Sequence, residues 1–295
     1  MPYNCNLIID SCCDLPYEAV NREGVYLVRF PFTLDGREYL DDMWHTMNMS
    51  KFYDCMRDGG QPTTSQASAI ELRNAYESAA KSGIPTIYLS FSSGLSSHFE
   101  SACMVLDEVR AEYPDADLRI VDTLAASVEE GLIIHEALCQ QERGLTIDEM
   151  EAWALEARHF ANVYFMVDDL ESLRRGGRIP QAVAFVGSKL DVKPILTVGA
   201  DGKLSMCGVA RGRKKGLKVL AKQFVERSDK NRPKLCCIGH ADSEKDLNRL
   251  EELIVTDGYG PLFVEHAIGP VIGTHVGPGM VAIGFWGRDR RENNA

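Results

Sequence analysis

The sequence predicts an α/β protein of two domains. An N-terminal mainly parallel sheet with flanking helices is followed by a C-terminal α+β domain whose sheet is mixed or antiparallel. Three observations carry this. Up to about residue 161, short apolar runs alternate with helix-like runs, the rhythm of a parallel sheet covered by helices. Beyond it, Gly199-Ala200-Asp201-Gly202 separates two strand-like runs and reads as a hairpin turn. The 295 residues, 45% hydrophobic and 25% charged, suffice for two cores. The expected domains are 1–161 and 162–295.

In the first domain, 6–9 is an apolar strand ending in Asp10-Ser11-Cys12-Cys13-Asp14, and Leu15-Pro16 opens a helix. Residues 25–34, rich in Val, Phe and Tyr, read as one strand. Asp35-Gly36 turns it into a hairpin arm at 37–40. Asp41-Asp42 is expected in a solvated turn, since two carboxylates are too few to argue for a cation. A helix over 50–57 is broken at 58–62, and a helix over 69–81 stops at Gly83. The apolar run 84–91 then enters the loop Ser92-Ser93-Gly94-Leu95-Ser96-Ser97, and a helix over 98–110 leaves it. A strand at 118–121 and helices over 128–141 and 146–159 complete the domain.

The second domain starts with a strand at 163–167 and a short helix over 168–174, stopped by Gly176-Gly177. Arg178 and a small apolar helix at 180–187 follow. The hairpin strands are 194–198 and 204–209. A helix over 213–227 with a basic start, a strand at 234–239, a helix over 243–255 and a strand at 261–266 come next. A glycine-spaced segment, 269–279, leads to a last strand at 280–285.

Composition excludes some functions. A net charge of −11 opposes general nucleic-acid binding. No apolar run is long enough to span a bilayer, and the first residues lack a signal peptide's basic and apolar regions. We expect a cytoplasmic protein without stable membrane insertion. The nine cysteines include the adjacent pairs Cys12-Cys13 and Cys236-Cys237 but no C-x-x-C. Cys236, Cys237 and His240 lie on an alternating apolar run, so a core strand is favoured over a metal site. No metal or cofactor is expected. G-x-x-x-x-G-K-[ST], G-x-G-x-x-G after a strand, and G-x-S-x-G are all missing.

Two hydroxyl clusters precede helices, Thr63-Thr64-Ser65-Gln66-Ala67-Ser68 and Ser92 to Ser97. The S/T-x-x-E spacing predicts capping boxes at Ser68/Glu71, Ser97/Glu100, Ser127/Glu130 and Thr146/Glu149. Capping uses one hydroxyl per junction. It leaves Thr63, Thr64, Ser65, Ser92, Ser93 and Ser96 without a structural task, and hydroxyls at a helix N-terminus suit a carboxylate or phosphate. His275, beside Thr274 in the glycine-spaced segment, either points at a ligand or belongs to a tight turn. Arg211, Arg213, Lys214 and Lys215 are either a solvated helix start or a functional basic patch. Arg174, Arg175 and Arg178 form a second basic cluster.

Taken in order, these pieces resemble the DegV family. The matching stretches are 10–16 (D-S-C-C-D-L-P), 62–68 (P-T-T-S-Q-A-S), 92–97, Asp122-Thr123, 173–179 (L-R-R-G-G-R-I), 211–215 and 269–279. Ala67 stands where the family pattern has proline, and Cys12 where it has a hydroxyl. The resemblance implies two α/β domains with one long-chain fatty acid in the cleft between them. It implies that Thr64 and Ser96 hydrogen-bond the carboxylate, helped by His275 and by N–H groups near Ser97. The ligand-binding set so expected is Thr64, Ser65, Ser96, Ser97, Thr274 and His275, with no catalytic residue. It further implies the lipid-binding subunit of a bacterial fatty-acid kinase. A separate kinase subunit would supply ATP and phosphorylate the bound carboxylate, and Arg211 and Arg213 match a stretch that would meet it. Hydroxyls, a helix N-terminus and a histidine would hold the carboxylate without a fixed positive charge. The alternatives are a serine-dependent hydrolase, with Ser96 as nucleophile and His275 as base, and a phosphate- or nucleotide-binding protein.

Overall fold

The computed structural model describes residues 3–179, 191–232, 235–255 and 260–294; the helix expected at 180–187 lies outside them. Strands β1 (Asn6–Asp10), β2 (Val25–Val28), β6 (Thr86–Ser90) and β7 (Leu118–Asp122) form a parallel sheet in the order β2-β1-β6-β7. The central strands β1 and β6 are buried along their whole length, as expected when both faces are covered. Alternation decides which residue faces which helices. Ile8 and Tyr88 pack with Leu72, Tyr76 and Val105 of helices α3 (Ala69–Ser82) and α4 (His98–Glu112). Leu7, Ile9, Ile87 and Leu89 pack on the other face with Ile134 and Leu138 of α5 (Val128–Glu142) and Met150 of α6 (Ile147–Ala157).

All strands of the second large sheet begin at or after Ala161. They are β8 (Ala161–Met166), β9 (Val192–Val198), β10 (Leu204–Arg211), β11 (Leu235–His240), β12 (Leu262–Ala267) and β13 (Val281–Trp286), in the order β10-β9-β8-β13-β11-β12. Only β11 and β12 run parallel, so the sheet is mixed, as the sequence predicts. Helices α8 (Arg213–Arg227) and α9 (Glu244–Ile254) cover one face through Leu217, Leu220, Leu247 and Leu250. Cys236 and Cys237 are buried core residues of β11.

Helix α5 fills the space between the two large sheets. Leu132 and Ile133 join the core of the mixed sheet, with Cys237 and Ala282, while Ile134 and Ala137 join that of the parallel sheet. A helix apolar on opposite sides belongs in an interior. Its close approach requires glycine opposite: a Cβ on Gly284 of β13 would lie 2.8 Å from the Val128 carbonyl oxygen.

Two expectations fail here. Residues 25–34 are not one strand. The chain leaves the parallel sheet after Val28, and β3 (Pro31–Leu34) joins a separate sheet, β4-β3-β5, with β4 (Arg37–Leu40) and β5 (Thr63–Thr64). At the break, Arg29 pairs with Glu71, and the Phe30 N–H donates to Ser11 Oγ instead of to a strand. Asp41 is not in a solvated turn: it is 1% exposed and accepts the Met43 N–H. Burial pushes its carboxyl up to about 7. The glycine-spaced segment contains a helix, α10 (Pro270–Val276), with proline at its start and Gly277 in the left-handed region at its end.

Candidate ligand site

An apolar cavity opens between the two large sheets, with about 750 Å3 of empty space, mouth included. Phe30, Phe91 and Leu95 face Val163, Phe165 and Leu173 across it, and Val271, Ile272 and Val276 of α10 form another wall. Its polar residues are Thr64, Ser65, Gln66, Ser96, Ser127, Arg178 and His275. An apolar space with a few convergent polar groups is the usual form of a small-molecule site.

His275 is carried on α10, and its Nε2 lies 2.8 Å from Thr64 Oγ1 at the end of β5. Burial, reinforced by Arg178 and Arg175, lowers its pKa to about 4, so the ring is neutral at physiological pH. Its Nδ1 is buried without a hydrogen-bond partner. Gly176 packs against the ring so closely that a Cβ there would be 2.1 Å from Nδ1.

The hydroxyls of the 92–97 loop are used differently from the capping pattern. Ser96 Oγ accepts the His98 N–H at 3.2 Å, so Ser96 caps α4 while its own proton stays available toward the cavity. Ser97 is exposed, makes no cap bond and donates to Gln66 Oε1, off the cavity wall. Ser92 donates to the Gly202 carbonyl, joining the loop to the mixed-sheet hairpin. The predicted boxes divide. Thr146/Glu149 is complete. Ser68 caps Glu71, whose carboxylate goes to Arg29. Ser127 makes no cap bond and donates to Asp14, while Glu130 is buried.

Of the predicted ligand set, Thr64, Ser65, Ser96 and His275 come together on the cavity, and Ser97 and Thr274 do not. Thr274 is 4% exposed and spends its hydroxyl on the Pro270 carbonyl within α10. Arg213 is held internally by Asp168, Asp246, Ser243 and the Gly279 carbonyl. It is therefore a brace between α8, α9 and the β8–α7 connection (α7, Glu171–Arg175). Arg211 is exposed.

Sequence reasoning placed Arg178 in a basic cluster with Arg174 and Arg175 but left it out of the ligand set. Its Nε donates to the Leu95 carbonyl and its Nη1 to the Gly176 carbonyl, while Nη2 has no hydrogen bond among the described residues. Burial pushes the guanidinium below its ordinary value. The site thus holds a positive charge, contrary to expectation. The available signal was the separation of Arg178 from Arg174 and Arg175 by Gly176-Gly177. The nucleophile–base arrangement of a serine hydrolase is not formed: His275 Nε2 is bonded to Thr64, and Nδ1 has no orienting carboxylate.

Fold and site define a two-sheet α/β protein with an apolar cavity between the sheets and a cluster of hydroxyl, imidazole and guanidinium groups on its wall. A family model described as "Uncharacterised protein, DegV family" matches residues 4–288, so the chain belongs to the DegV family. A DegV domain-containing protein of Clostridium perfringens is 36% identical over 281 residues, covering 95% of this chain and 97% of that one. A Thermus thermophilus structure, described as fatty acid binding of a DegV family protein, superposes with a TM-score of 0.83 at 29% identity, covering 96% and 99% of the two chains. Bacillus subtilis DegV, described as a fatty acid binding protein, gives 0.81 at 27% identity, covering 97% and 100%. No helix among the described residues is long and apolar enough to cross a membrane.

Proposed function

We propose that this protein binds one long-chain fatty acid, its chain in the apolar cavity and its carboxylate at Thr64, Ser96, His275 and Arg178, and presents that carboxylate to a separate ATP-dependent kinase subunit for acyl-phosphate formation. The observation that carries the binding role is the Thr64–His275 pair at the polar residues of an otherwise apolar cavity. The fatty-acid-binding relatives from Thermus thermophilus and Bacillus subtilis support it. The presenting role rests on the family resemblance.

The proton inventory fits a carboxylate. In the tautomer with its proton on Nε2, neutral His275 donates to Thr64 Oγ1, which leaves the Thr64 proton for the ligand. Ser96 accepts from the His98 N–H and donates its own proton to the other oxygen. Arg178 contributes charge through Nη2. A buried carboxylate needs all of its oxygens bonded, and hydrogen bonds to a charged group contribute about 1.5–3 kcal/mol each. Mass spectrometry of the denatured protein is expected to release fatty acid. Thr64→Ala and Ser96→Ala are each expected to weaken uptake roughly 10- to 100-fold. Absence of lipid together with no uptake of added stearate would overturn the reading.

A further inference from the structure

We propose that Asp10, Tyr88 and His98 are positioning residues for Ser96, anchoring both ends of its loop so that its hydroxyl is held toward the ligand carboxylate. The inference rests on the carboxylate site proposed above. Residues 91–97 have no helix or strand of their own. At the start of the loop, the Phe91 N–H donates to Asp10 Oδ2 at 2.9 Å. At its end, His98 Nε2 lies 2.7 Å from the Tyr88 hydroxyl, which donates to the same Asp10 Oδ2 at 3.0 Å. The His98 N–H then donates to Ser96 Oγ. One carboxylate oxygen therefore gathers both ends of the loop.

The direction of the chain follows from counting protons. Tyr88 has one, and it goes to Asp10, so His98 donates from Nε2 to the tyrosine oxygen. Asp10, Tyr88 and His98 are all fully buried, and none is on the cavity wall. Any effect they have on a ligand is therefore indirect, passing through residues that do line the cavity. Phe30 adds a packing link: its ring lies 4.3 Å from that of His98 and 5.9 Å from that of Phe91, and it is itself part of the cavity wall.

The test is a double-mutant cycle with two ligands. Wild type, Tyr88→Phe, Ser96→Ala and the double variant are titrated calorimetrically with stearate and with octadecanol, both delivered from cyclodextrin. Octadecanol keeps the chain and lacks the anion. Tyr88→Phe is expected to weaken stearate about 3- to 10-fold, to leave octadecanol within about twofold, and to have no further effect in the Ser96→Ala background. Equal weakening of both ligands, or an undiminished effect without Ser96, would overturn the inference. His98→Gln, whose amide N–H can replace the imidazole donor, is expected to keep stearate affinity where His98→Leu loses it. That pair also decides the matter if Tyr88→Phe does not fold. If wild type binds no stearate, the carboxylate site itself fails. If Ser96→Ala weakens stearate and Tyr88→Phe does not, only the positioning role fails.

Discussion

Alanine at Gly176 is expected to damage ligand binding without removing any group from the site. Gly176 has helical backbone angles, so alanine meets no conformational penalty there. The obstacle is His275: the new Cβ would lie 2.1 Å from Nδ1 and 2.8 Å from Cε1. Carbon contacts settle near 3.5 Å, so the ring has to retreat by more than about 1 Å. That breaks its 2.8 Å contact with Thr64. Overpacking of this kind costs about 1–3 kcal/mol, and the lost bond about 1 kcal/mol more. Stearate affinity should fall at least about tenfold, with a lowered Tm. Gly177→Ala is the control. Gly177 has φ of +72° but open space around it, so alanine adds strain of about 1–2 kcal/mol and leaves His275 alone. Calorimetry and thermal melts on both variants check this. A folded Gly176→Ala protein that binds stearate like wild type would refute the reasoning.

Two further outcomes concern pH. In the ligand-free protein the His275 imidazole, followed by NMR, should titrate near 4 and not near the ordinary 6.5. Because its folded value is lowered, its share of stability is full above about 6.5 and is lost as pH falls toward 4; a midpoint near 6.5 would place the ring in water. Asp41 behaves oppositely, since its carboxyl is raised from 3.8 to about 7. Its contribution is full below about 4 and is lost as pH rises through 7, a difference of up to about 4 kcal/mol. Asp41→Asn removes that loss. The variant should therefore gain stability relative to wild type between pH 5 and pH 8 in denaturant melts, and parallel curves would contradict the assignment.

Much of the architecture could be read from the sequence because the signals are local and repeated. The continuous apolar runs of β1 and β6 have one meaning in an α/β chain, and Gly83 ends α3 by its own backbone. The failures share a cause. S-x-x-E describes a helix start in isolation. At Ser127 and Glu130, packing of α5 between two sheets turns the serine toward Asp14 and buries the glutamate. Asp41 looked exposed because charge usually means water; the surrounding fold overrides that. Arg178 was left out of the ligand set for a similar reason, as its place beside His275 depends on α10, nearly a hundred residues away. Thr64, Ser96 and His275 were singled out through motif order and all three line the cavity, and only the fold shows that Ser96 also caps α4.

The position of β13 sets the order of assembly. It is the last strand in the chain, yet it lies between β8 and β11 near the middle of its sheet, and it presses Gly284 onto α5. As the chain emerges during synthesis, β8-β9-β10 and β11-β12 exist as two unjoined pieces, and Leu132 and Ile133 of α5 have no complete surface to cover them. Pairings this distant close slowly and leave apolar surface open meanwhile. The first half of the molecule therefore waits on the last, and refolding should show one late, concerted step in which the sheet closes over α5.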